Sequence, residues 1–63
     1  MSNIKQPITR ETFEKIAEVA ANDGCLKRRD GEFGTDWAII LNGHLMMAGI
    51  VNEDGERDFF QYF

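Results

Sequence analysis

Cys25 and His44 are the chain's single thiol and single imidazole. They are therefore its one candidate pair for an activated nucleophile. Such chemistry needs the two within hydrogen-bond reach and a third group to orient the base. The strand register derived below places them on opposite faces of a sheet. The expectation is a small structural cysteine and a turn-flanking histidine, with no catalytic residue and no enzyme.

The acidic run Asn52-Glu53-Asp54-Gly55-Glu56-Arg57-Asp58 invites comparison with a calcium loop. An EF-hand places glycine sixth, between oxygen ligands at the first and twelfth positions. With Gly55 sixth, those positions fall on Ile50 and Gln61, so the pattern fails. The run is expected to be a solvated hairpin tip. Neither a metal nor a cofactor is expected. Glycine-rich phosphate loops, GxSxG, HExxH and paired-cysteine motifs are all absent from the sequence.

Lys27-Arg28-Arg29 is the one basic cluster. It could meet phosphates, giving a nucleic-acid-binding module with aromatic side chains as stacking platforms. Acidic neighbours Asp30 and Glu32 oppose that, and basic side chains on an edge strand also discourage edge-to-edge aggregation. Net charge is −4 and unevenly divided. Residues 1–29 sum to +2, and residues 30–63 sum to −6. The acidic residues of the second part are Asp30, Glu32, Asp36, Glu53, Asp54, Glu56 and Asp58. That half disfavours nucleic acid and suits a basic protein partner.

The elements that position these residues follow from three Asx-Gly pairs at twelve-residue spacing: Asp30-Gly31, Asn42-Gly43 and Asp54-Gly55. An Asx-Gly pair between apolar runs signals a two-residue hairpin, because a type I′ turn needs positive φ twice. Three such turns predict strands at about 25–29, 32–41, 44–52 and 56–62. Their register places Arg29 opposite Glu32, Leu41 opposite His44, and Glu53 opposite Glu56. Gly34 and Gly49 are the places where a bulge would exchange the faces, and residues 32–36 also suit a loop.

Ahead of the strands, Phe13, Ile16, Ala17 and Ala20 recur at helical spacing, with Val19 beside them. Thr9 is the expected N-cap, Ile8 and Phe13 the hydrophobic staple, and Gly24 the terminating residue. One helix over about 10–22 follows. The fold class is α+β: an N-terminal helix packed on a three- to four-stranded antiparallel β-meander. Residues 1–8 are expected to be a mobile segment before a single domain over 9–63.

Carrying the register outward sorts the side chains. Leu26, Phe33, Trp37, Ile39, Leu41, Met46, Ala48, Ile50, Phe59 and Phe63 form the predicted core face. The other face carries Ala38, Ile40, Leu45, Met47, Val51, Phe60 and Tyr62. A helix of about thirteen residues is ~20 Å long and covers only one face. A sheet with one wet face should alternate apolar and polar residues, and the last three strands do not. Ile40, Leu45, Met47, Val51, Phe60 and Tyr62 are therefore the predicted interface, with Met46 a further candidate anchor.

A chain of 63 residues buries too little surface to be more than marginally stable alone. One cysteine excludes an internal disulfide, so support from a homodimer or a bound partner is expected. The composition suits a small acidic inhibitor or adaptor, of the kind viruses and mobile elements use against basic, nucleic-acid-handling host proteins. No apolar run approaches a membrane span of roughly 18 residues, and the polar start lacks a leader pattern, so the expected location is cytoplasmic, without a membrane.

Overall fold

Helix α1, Arg10–Asn22, begins and ends where its caps dictate. The computed structural model describes residues 4–63. Thr9 is extended, with φ −79° and ψ 157°, and its hydroxyl accepts from the Thr12 N–H, satisfying one of the orphan donors of the first turn. At the other end the Cys25 N–H donates to the Ala20 carbonyl at 2.8 Å, and the Gly24 N–H to Ala21 at 3.2 Å. These two bonds make a Schellman motif. Phe13 and Ala20 are buried, and Ile8 packs against the same cluster.

The rest of the described chain is one antiparallel sheet. Its strands are β1 Lys5–Pro7, β2 Leu26–Asp30, β3 Thr35–Leu41, β4 His44–Val51 and β5 Arg57–Tyr62. The spatial order is β1-β5-β4-β3-β2. The meander is as predicted, with one strand added. β1 comes from the segment placed ahead of the domain, and it pairs Lys5 with Tyr62 and Pro7 with Phe60. A proline is tolerated there because β1 is an edge. Met1–Asn3, in the segment expected to be mobile, lie outside the described residues.

Only one of the three Asx-Gly pairs makes the predicted turn. Asn42 and Gly43 have φ of 52° and 79°, and Leu41 faces His44. Asp30 instead ends β2 opposite Thr35, so Arg29 faces Asp36 rather than Glu32. Glu32 and Phe33 fall in the loop, where the Gly31 N–H donates to the Gly34 carbonyl at 2.7 Å. At the third turn Gly55 alone has positive φ, 82°. Its N–H donates to Asn52 at 2.9 Å, and the Asn52 N–H donates to Glu56 at 2.7 Å. This is a longer turn with glycine at the bulge position, and it pairs Val51 with Arg57.

β4 also carries one extra residue. Ile40 pairs with Leu45 but Ile39 with Met47, which leaves Met46 as a bulge. Side chains alternate with period two, so one inserted residue exchanges the faces beyond it. Met47 and Val51 were predicted to lie on the open face and lie on the helix side. Ala48 and Ile50 move the opposite way, out of the predicted core face. The extra residue in the third turn shifts β5 by one more position. The two shifts cancel, so Phe59 stays under the helix and Phe60 and Tyr62 stay on the open face.

The core under α1 is Phe13, Ala20, Ile39 and Met47, flanked by Ile8, Ala17, Cys25, Leu26, Trp37 and Phe59. Phe13 and Phe59 rings are 5.0 Å apart, tilted by 44°. Among the described residues eight large apolar side chains are exposed. No helix of the described residues is long and apolar enough to cross a membrane.

Candidate interaction surface

The open face of the sheet has a readable grid. One row crosses all five strands through successive pairs: Lys27–Ala38–Ala48–Phe60–Pro7. Ala38 and Ala48 have only methyl groups, so the row is a shallow trough that rises at Phe60. Ile40, Ile50 and Tyr62 flank it, and Leu45 sits beside Ile40. Ala48 is buried at 4% exposure although it lies on the side away from the helix. Its own neighbours shield it. The Lys5 ammonium stands 4.0 Å from the centre of the Phe60 ring, a cation–π contact that leaves the positive charge at the rim.

Of the six predicted interface residues, Ile40, Leu45, Phe60 and Tyr62 are brought together on this face. Met47 is not available, since it belongs to the core at 9% exposure. Val51 lies on the helix side, with its methyls 3.3 and 3.4 Å from where a side chain on Gly34 would begin. Ala48 and Ile50 take their places. Only the bulge separates these sets, and no local turn signal marks it.

Topology gathers the acidic residues more tightly than the sequence suggested. In a meander alternate turns share an end, so the β2–β3 loop and the β4–β5 turn lie together. Asp30, Glu32, Asp36, Glu53, Asp54, Glu56 and Asp58 all belong to that end. Asp36 Oδ1 accepts from the Val51 N–H at 3.0 Å, and Asp36 is half-buried. Asn52 organises the other turn. Its Oδ1 accepts from the Asp54 and Glu56 N–H groups at 2.9 and 3.1 Å, and its Nδ2 donates to Asp58 Oδ2 at 3.1 Å. Glu32, Glu53, Asp54 and Glu56 are exposed there. Asp36 was a predicted partner contact, and part of its carboxylate is committed inside the fold instead.

The basic triplet is divided by strand alternation. Lys27 and Arg29 belong to the open face, while Arg28 is on the helix side, its guanidinium 5.5 Å from the Trp37 ring. A single patch of three cations does not form. His44 pairs with Leu41, which lines the same groove as Cys25, so the opposite-face placement does not hold. The two make no hydrogen bond. Cys25 Sγ lies 3.8 Å from the Asp23 carbonyl instead.

No protein-family model matches this chain, and neither the curated proteins nor the solved structures give a match.

A second apolar surface was not foreseen. Ile16, Val19, Leu41 and Met46 are 39–61% exposed. With Cys25 and Ile39 they line a groove of ≈ 310 Å³ between α1 and the β3–β4 hairpin. Ile16 belongs to the apolar helical stripe read from the sequence and Val19 lies beside it, yet both stay exposed. Among the described residues, no group of three or more His, Cys, Asp or Glu side chains stands within reach of one metal ion.

Proposed function

We propose that this chain is a small protein-binding module of the inhibitor or adaptor type. It pairs with a second copy through the open sheet face and offers its acidic end to a basic protein that handles nucleic acid. One observation carries this reading: Ile40, Leu45, Ile50, Phe60 and Tyr62 share a sheet face that no element of the described chain covers. Contiguous apolar patches beyond a few hundred Å² are uncommon on monomers and mark association. A self-complementary face closes a twofold dimer. The shallow row at Ala38 and Ala48 suits insertion of the partner's Phe60 or Tyr62, and aromatic side chains are the usual anchors of interfaces.

The acidic end supports the second half of the reading. Four exposed carboxylates on two adjoining turns make a negative rim that mimics the charge of a nucleic-acid backbone toward a basic cleft. Direct nucleic-acid binding through Lys27, Arg28 and Arg29 is disfavoured by their division between the two faces. A gel shift at low salt is expected to show no retardation.

Light scattering across a dilution series tests the dimer. The expected result is twice the mass of one chain at high micromolar concentration, falling on dilution. A single-chain mass throughout, with Tyr62→Ala equally soluble and stable, removes the self-association half of the proposal.

A further inference from the structure

On the opposite side of the sheet, a cleft of ≈ 370 Å³ lies between the first half of α1 and the strands. That volume is within the roughly 300–1,000 Å³ typical of small-molecule sites. Its walls include Arg10, Phe13, Glu14, Trp37, Arg57 and Phe59. We propose that this cleft binds a planar aromatic ring carrying a phosphate, the chemistry of a nucleoside monophosphate.

The floor comes from the sheet register. Trp37 pairs with Gly49, and Gly49 with Phe59, so two aromatic side chains flank a position with none. A Cβ on Gly49 would stand 3.1 Å from the Phe59 ring and 3.2 Å from Arg57 Cδ. The glycine thus lets Phe59 and Arg57 settle closely onto β4, and the rings of Phe59 and Trp37 wall the slot where a flat ring can stack.

The rim is cationic on an acidic protein. Two of the chain's four arginines, Arg10 and Arg57, line this one cleft, and a third, Arg28, stands over the Trp37 ring beside it. Arg10 lies 5.6 Å from the centre of the Phe59 ring, and Arg28 lies 5.5 Å from that of Trp37. Arg57 spends one N–H on the Gly49 carbonyl at 3.4 Å, which leaves most of its five donors free. Among the described residues neither Arg28 nor Arg57 has a carboxylate partner. Arg10 has one, Glu14 at 3.9 Å, with both side chains about two-thirds exposed. Such a pair is weak and yields to a better anion. Guanidinium groups bind phosphate through paired N–H donors. Arg10 and Arg57 would take the phosphate, while the ring stacks at Trp37.

Trp37 is the only tryptophan, so its fluorescence reports directly on the slot. The probes are adenosine monophosphate, adenosine and inorganic phosphate, with excitation at the red edge, beyond adenine absorption. The nucleotide is expected to quench saturably, with a dissociation constant below about 1 mM. Adenosine and phosphate alone are each expected to bind at least about tenfold more weakly, since each lacks one of the two kinds of contact. Arg10→Gln with Arg57→Gln should weaken the nucleotide by a similar factor or more while far-ultraviolet circular dichroism stays unchanged. If the double variant is misfolded, the exposed Arg10→Gln alone supplies the comparison. Tyr62→Ala, on the other side of the sheet, should leave nucleotide binding intact whether or not the protein dimerises. Absence of saturable quenching, phosphate binding as tight as the nucleotide's, or full affinity in the folded arginine variants would overturn the proposal.

Discussion

The Asp36 carboxylate takes the Val51 N–H at 3.0 Å, just beyond the point where β3 and β4 stop pairing at Trp37 and Gly49. One side chain thereby closes the end of the ladder. It also holds the β2–β3 loop against the β4–β5 turn, which brings the acidic residues of both into one rim. An added Cβ on Gly31 would meet the same carboxylate, so the loop leaves Asp36 room only because residue 31 is glycine.

Replacing Asp36 with Ala leaves the Val51 amide without its acceptor in a half-buried position. The expected cost is about 1–3 kcal/mol, read as a lower urea midpoint with an unchanged slope. Asp36→Asn keeps an acceptor oxygen and should lose less. Equal losses in the two variants would show that the charge, and not the hydrogen bond, supports the rim.

Asn52 satisfies two backbone donors with one oxygen. Asn52→Ala should destabilise by about 1–2 kcal/mol. Asn52→Asp retains the acceptor but sets a second carboxylate against Asp58, so its loss should shrink in high salt. Thermal melts at two salt concentrations separate the two effects.

The core under the helix is small, and its residues should be unequal in a predictable order. Phe13→Ala removes a buried ring packed at a tilt against Phe59 and should cost ~3–5 kcal/mol. That approaches the whole stability of a domain this size. Val19→Ala, at a side chain 61% exposed, should change stability by less than about 0.5 kcal/mol. Denaturant titration of the pair checks the order.

The helix was legible from end to end, because Thr9, the Phe13–Ala20 stripe and Gly24 are each local signals for local structure. Faces were legible wherever register errors were even. At the first hairpin the shift from Arg29–Glu32 to Arg29–Asp36 is four residues, so Leu26 stayed inside and Lys27 outside. The bulge at Met46 is a shift of one, and it exchanged Met47 and Val51 with Ala48 and Ile50. Nothing about methionine announces a bulge, since the irregularity arises from fitting β4 between its neighbours. β1 was hidden for a different reason. Three residues ending in proline have no period, and their partner lies at the far end of the chain, at Phe60–Tyr62.

The proposed dimer surface makes a positional demand that mass alone does not meet. Sedimentation velocity should compare Phe60→Asp, on the open face, with Phe33→Asp, at a loop residue 47% exposed and outside that face. Circular dichroism confirms that both are folded. A charge at Phe60 is expected to give a single-chain species at concentrations where the wild type and Phe33→Asp remain dimeric. A wild type that sediments as one chain at high micromolar concentration, or a folded Phe60→Asp that stays dimeric, would contradict association through this face.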